Sequence, residues 1–234
     1  MAITLYDFAA ADSRLMFGPF SWRSRMALLH KGLDFEVLPW RASDNKKLGP
    51  QNYSSVPVLH DGDHWVGDSW DIAVYLDERY PNRPQLMKGT EGRAHAQLVM
   101  GVCGSLVFPP AIGIAVYQAF QILDEGSRPH FRASREKMFG RTLEEVNVAE
   151  PEKAKAGLAA GLKPFNETLA TSAFLGGDSP TYADYALFGL LKWVDIVSKY
   201  RAIDESSATG KWFVRLENMY GGYARKVPTV RNIA

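Results

Sequence analysis

The first third of the chain switches between two periods. Ile3-Thr4-Leu5-Tyr6 is a run of β-formers, and Asp34-Phe35-Glu36-Val37-Leu38 alternates polar with apolar as a half-buried strand does. Val56-Pro57-Val58-Leu59-His60 and His64-Trp65-Val66 flank Asp61-Gly62, a dipeptide that predicts a two-residue hairpin turn because both positions accept positive φ. Between these runs Trp22, Met26, Leu29 and Leu33 recur at helical spacing, which predicts one face of a helix ending near Gly32. Ile72, Tyr75 and Leu76 mark a second helix, stopped at Tyr80-Pro81 because a residue before proline is pushed out of the helical region. A βαβ unit followed by ββα packs as a small mixed sheet with helices on its faces.

Residues 81 to 89 form a proline-marked connector, and beyond it the strand signals stop. Helical patterns cover roughly 90 to 123, 131 to 148, 151 to 172, 181 to 199 and 207 to 225. The expected organisation is an α/β domain over 1–81, a linker over 82–89 and an all-helical domain over 90–234. From Ala94 to Leu123 no Asp, Glu, Lys or Arg occurs, long enough to span a bilayer. Polar residues interrupt this stretch, and Pro109-Pro110 predicts two helices with a sharp break. Helices apolar on most faces also suit a buried core or a subunit interface, so no membrane is expected as a partner.

Charge and cysteine content narrow the function. With 27 Lys+Arg against 26 Asp+Glu, the clustered basic excess of a nucleic-acid binder is missing. Arg23 and Arg25 sit on a helical pattern and read as a solvated face. The single cysteine, Cys103, can form no internal disulfide and no cysteine zinc site, which points to a reducing, cytoplasmic setting. MAITLYDF reads directly as a strand, with no basic leader or apolar signal segment.

Two short motifs carry chemistry. Pro57 opens a strand and donates no ladder hydrogen bond, so the Val56 backbone beside it can pair with an extended peptide. Asp68-Ser69 precedes the helix at 70 to 80; either can cap it, and a helix N-terminus with a hydroxyl also suits a carboxylate, with Asp68 available for an ammonium. In the helical part Thr181-x-x-Asp184 reads as a capping box before the apolar stretch Tyr185 to Val197. Asp61, Asp63 and His64 are accounted for by the hairpin turn, and no metal is expected.

WRSRMALLHKGLDFEVLP and SSVPVLHDGDHWVGDSWDIAVYLDERYPNRPQL resemble the N-terminal domain of the glutathione transferase superfamily, and LGGDSPTYAD resembles its helical-domain capping motif. The resemblance implies a thioredoxin-like fold, glutathione as co-substrate and a homodimer. It also implies a cis Pro57, Val56 paired with the cysteinyl unit, and Asp68 and Ser69 on the γ-glutamyl group. Within the superfamily ITLYD, PxxWRxxxALxHKG and WVxDSWxIAxYLDExYPxRP are most similar to bacterial glutathione-dependent β-etherases of aryl-ether breakdown and their fungal relatives. That implies thiolate attack on an apolar, aromatic electrophile, by conjugation or aryl-ether cleavage; a module that binds glutathione without transferase activity is the alternative.

Only a thiolate is a good nucleophile, and a hydroxyl or thiol beside the first helix usually helps to form it. Related subclasses carry Ser or Cys just before the proline of that helix; here the position is Gly18, before Pro19. The donor is then Ser21, Ser13, Tyr6 or the backbone at Gly18 with the helix dipole. Lys46, Lys47, Gln51 and Ser55 are candidates for the glycine carboxylate of glutathione, and Phe108, Tyr117 and Trp193 for the second-substrate pocket.

Overall fold

A computed structural model describes residues 3–44, 47–149, 151–199 and 201–233. β1 (Ile3–Phe8) runs parallel to β2 (Phe35–Trp40), with Leu5 opposite Val37, and antiparallel to β3 (Val58–Asp61). β3 pairs antiparallel with β4 (His64–Gly67), giving the order β2-β1-β3-β4. α1 (Pro19–Lys31) is the crossover between the two parallel strands, and α2 (Ser69–Arg79) follows the hairpin. This is the expected thioredoxin-like βαβ-ββα arrangement, followed by helices only among the described residues.

Asp61 faces His64 in the ladder, so the turn residues are Gly62 and Asp63 and not the expected Asp61-Gly62. Only Gly62 has positive φ, at +61°, which is the hairpin type with glycine at the first central position. β3 begins at Val58, so Val56 and Pro57 lie ahead of the ladder. The Asp61 carboxylate accepts the hydroxyls of Tyr75 and Tyr80 at 2.9 and 2.6 Å, which gives it a structural role.

The expectation that Arg23 and Arg25 are solvated is wrong. β1 buries alternate side chains, and its inward set ends in a charge, Asp7, which is 0 % exposed. Arg25 reaches that carboxylate at 2.6 Å, because a buried charge needs a partner. Arg23 is also buried, its guanidinium 4.8 Å above the Phe20 ring. Two positions apart on a helix, the two arginines point to different sides: Arg25 faces the sheet, and the Arg23 side of α1 packs against α9 (Tyr182–Val197), whose residues are buried throughout. Gly189 permits this contact: a Cβ there would collide with the Pro19 carbonyl.

The remaining helices are α3 (Gly89–Val102), α4 (Phe108–Ile122), α5 (Arg128–Phe139), α6 (Leu143–Ala149), α7 (Pro151–Gly161), α8 (Lys163–Leu169) and α10 (Ala208–Lys226). The sharp break expected at Pro109-Pro110 is absent. A π-helical turn at Cys103–Val107 joins α3 to α4, and the prolines occupy the first turn of α4, where their missing N–H groups cost nothing. The resulting run Gly89–Ile122 is long and apolar enough to cross a membrane, but both of its halves pack on α9 as core helices do. The helix expected over 131 to 148 divides at Gly140, which caps α5 at φ +67°. The one expected over 151 to 172 divides into α7 and α8 at Leu162. α10 leaves helical geometry at Met219 to Gly222, where Gly221 and Gly222 take positive φ. The capping box is present: the Thr181 amide donates to Asp184 Oδ2 at 2.9 Å, and the same buried carboxylate takes the Trp212 indole N–H at 2.9 Å.

Candidate functional site

A cavity of about 620 Å³ opens where the N-terminus of α1 meets α4, α5 and α9. Gly18, Pro19 and Phe20 enter it from α1, Ser55, Val56 and Pro57 from the segment before β3, and Asp68 from the cap of α2. The opposite wall is largely apolar. Phe108 lies 6.1 Å from Phe20 and 6.3 Å from Trp193, ring centre to ring centre, forming an aromatic row along it.

The Val56-Pro57 peptide bond is cis. Neither the N–H nor the C=O of Val56 has a backbone partner among the described residues, so both are free to pair with an extended peptide. Asp68 holds φ +65°, a conformation costing a non-glycine residue of the order of 1 kcal/mol, and accepts the Trp70 amide at 2.7 Å as the cap of α2. Asp68 is exposed and lines the cavity. Ser69 sits beneath it, 2 % exposed and off the cavity wall, with its carbonyl accepting the Tyr182 hydroxyl at 2.7 Å. The two residues are therefore not equivalent: Asp68 lines the cavity and Ser69 joins α2 to α9.

At the other end the Gly18 amide donates to Asp7 Oδ1 at 3.1 Å. Burial pushes the Asp7 carboxyl up from its usual 3.8, against the pull of Arg25. A Cβ on Gly18 would lie 2.5 Å from Asp7 Oδ1 and 2.6 Å from Ser21 Oγ, so the usual Ser or Cys has no room here. Ser21 is 1 % exposed and does not line the cavity; its hydroxyl is packed beside Asp7 without a well-aligned hydrogen bond. Nor do the other hydroxyl candidates reach the cavity. Ser13 Oγ accepts from Arg41 at 2.6 Å, and Tyr6 stacks on Trp65 at 6.0 Å. What α1 does present is Pro19 and Phe20 of its first turn, where the amides of Phe20 and Ser21 have no backbone acceptor among the described residues. Cys103 is no alternative nucleophile: it is buried, and burial pushes its thiol up to about 12.

Ser55 lines the cavity, whereas Gln51 and Lys47 are exposed away from it and Lys46 lies outside the described residues. Phe108 and Trp193 are on the wall and Tyr117 is not. Tyr117 follows Phe108 by nine helical positions, about half a turn out of phase at 3.6 residues per turn. Ile112 and Val116, at steps of four from Phe108, share its face and were missed. Phe8, Phe20, His130 and Arg135 were missed too; for Phe20, a large apolar side chain beside a helix-opening proline was the available signal.

Two family models match the chain: "Glutathione S-transferase, N-terminal domain" over residues 17–79 and "Glutathione S-transferase, C-terminal domain" over residues 94–218. The glutathione S-transferase-like protein ustS of Aspergillus flavus is 30 % identical over 54 % of this chain and 49 % of its own length. Glutathione S-transferase 4 of Zea mays is 27 % identical over 86 % of this chain and 81 % of its own. The chain spans about half the length of the first curated relatives it matches. Among solved structures, glutathione transferase GSTFuA3 of Phanerochaete chrysosporium superposes with a TM-score of 0.74 at 28 % identity, covering 96 % of this chain and 94 % of that one. The fold is shared with CsGST83044 of Ceriporiopsis subvermispora in complex with glutathione, at a TM-score of 0.80 and 22 % identity, over 94 % of this chain and 98 % of that one. The chain belongs to the glutathione S-transferase family.

Proposed function

We propose that this protein is a glutathione transferase whose glutathione thiolate attacks an apolar, aromatic electrophile, by conjugation or by aryl-ether cleavage of the β-etherase type. The observation that carries this reading is the meeting, in one cavity, of three elements. These are the unpaired Val56 backbone, the Asp68 carboxylate and an aromatic wall running from Phe20 to Trp193.

Glutathione would pair its cysteinyl unit with Val56 and place its ammonium on Asp68, with its γ-glutamyl carboxylate toward the N-terminus of α2 and not on the buried Ser69 hydroxyl. Its thiol would then face the first turn of α1. There the Phe20 and Ser21 amides and the helix dipole stabilise the thiolate without a side-chain hydroxyl. An electrophile stacked on Phe108 is brought within reach of that sulfur. The C–S bond forms as the C–O or C–halogen bond breaks and aryloxide or halide departs, with the thiol proton released to solvent.

The second reading, a glutathione-binding module without turnover, draws on one observation: among the described residues no side-chain hydroxyl or thiol reaches the cavity at Gly18. A homodimer and a cytoplasmic setting complete the proposal. Leu98 and Leu106, 67 % and 44 % exposed near the π-helical turn, are apolar surface that a second copy would cover. The test is incubation with glutathione and an aryl ether, with the thioether product sought by mass spectrometry. Product above the non-enzymatic rate supports transfer; glutathione binding without product supports the module.

A further inference from the structure

Among the described residues, two side chains of fixed charge line the cavity, Asp68 and Arg135. The first has a role in the transferase reading. Arg135 has none, and its surroundings differ from those of the other arginines on α5.

Arg132, three positions earlier, is bracketed by Glu136 at 2.8 Å and Glu144 at 2.7 Å. Arg128 gives its guanidinium to the Gln121 carbonyl at 3.1 Å. Arg135 pairs with no carboxylate among the described residues. Its one hydrogen bond goes to the neutral Ser134 hydroxyl at 3.0 Å, and its guanidinium lies 4.9 Å over the Phe131 ring. Burial lowers its pKa, as expected of a cation drawn from water without a counter-charge. A guanidinium has five N–H donors in a planar fork that matches a carboxylate, so most of its capacity is unused. Stacking on Phe131 fixes the plane of the fork, which leaves less freedom to lose when an anion docks. The wall around it, Phe108, Ile112, Val116 and Met138, offers an apolar bed for a ring.

We propose that the cavity accepts an aromatic electrophile that carries a carboxylate, with Arg135 as the specificity residue that receives it. The inference rests on the transferase reading for the word electrophile, but the recognition of an aromatic acid stands on the cavity alone. The ring lies against Phe108 and the carboxylate takes the open edge of the guanidinium. A neutral aromatic of the same shape gains the apolar contact and not the charged one.

The test is equilibrium binding by calorimetry, without turnover, of naphthoate and its uncharged twin naphthamide to the wild type, Arg135→Gln and Arg135→Lys. The wild type is expected to prefer naphthoate by about tenfold to a hundredfold, the range of a charge-assisted hydrogen bond. Arg135→Gln should erase that preference with naphthamide affinity held within about twofold, and Arg135→Lys, which keeps the charge without the fork, should retain part of it. Thermal unfolding of each variant shows whether it is folded. Equal binding of acid and amide by the wild type, or binding of neither, overturns the proposal. A loss of glutathione affinity in Arg135→Gln also overturns it, since the residue would then hold the glycine carboxylate of the tripeptide. Failure of the transferase reading appears elsewhere, as the absence of thioether product while the preference for naphthoate stands.

Discussion

The amide of Gly18 donates to Asp7 Oδ1, and Oδ2 of the same buried carboxylate holds Arg25 at 2.6 Å. One side chain at the end of β1 therefore anchors both the entry and the second turn of α1. Its position also accounts for the missing Ser or Cys: the volume that a Cβ on residue 18 would fill is taken by Asp7 Oδ1 and Ser21 Oγ. Gly18→Ser is expected to cost about 1–3 kcal/mol, as overpacking does, and to raise no thiolate. Denaturant unfolding and the pH dependence of turnover check both halves.

Asp7→Asn leaves the Gly18 amide an acceptor but strands the Arg25 guanidinium in the core. Breaking one partner of a buried ion pair costs about 3–5 kcal/mol, so this variant should unfold at markedly lower denaturant. Asp7→Asn with Arg25→Met, which removes both charges, should recover a large part of the loss. Equal losses in the single and double variants would show that the pair is not the anchor.

Ser21→Ala separates side-chain from backbone activation. With the hydroxyl buried off the cavity and the amide retained, kcat/KM should stay within about threefold of the wild type. A fall of about a hundredfold or more, the size expected on losing a donor to a developing anion, would make Ser21 the donor after all.

His30 gives the fold a pH dependence. Its Nε2 lies 3.1 Å from the Gln85 carbonyl, which can only accept, so that nitrogen carries the proton and Nδ1 accepts the Tyr185 hydroxyl at 2.8 Å. Tyr185 in turn accepts from Tyr220 at 2.6 Å, at the interruption of α10. Burial, the largest influence, holds the His30 pKa below its usual 6.5. The unfolded chain therefore takes up the proton first. The contribution is complete above pH 6.5 and is lost as pH falls from there toward the folded value. Melting temperature should decline as pH falls below about 6.5, and His30→Gln should flatten that decline.

The sheet and the cap of α9 were legible because their signals are local: period-two alternation in β1 and β2, a glycine turn, and Thr181 with Asp184 three residues on. The Val56-Pro57 and Asp68-Ser69 motifs were legible for the same reason, although the sequence could not separate the exposed Asp68 from the buried Ser69. What depended on distant partners was not legible. Arg25 looks like surface until Asp7, eighteen positions away, is known to point inward. Ser21 is one turn into a helix that opens on the cavity, yet the phase of α1 turns it to the sheet. The extra residue of the π-helical turn leaves no mark in hydropathy, so the prolines were read as a break. Arg135 carries no motif, and only the cavity distinguishes it from the paired Arg132.

In the proposed mechanism the first turn of α1 ionises the glutathione thiol with backbone amides. The most direct test is calorimetric titration of glutathione near neutral pH, in buffers of different ionisation heat. Binding accompanied by release of a proton is expected in both the wild type and Ser21→Ala. Binding without proton release in the wild type would contradict it and leave a module that holds glutathione passively.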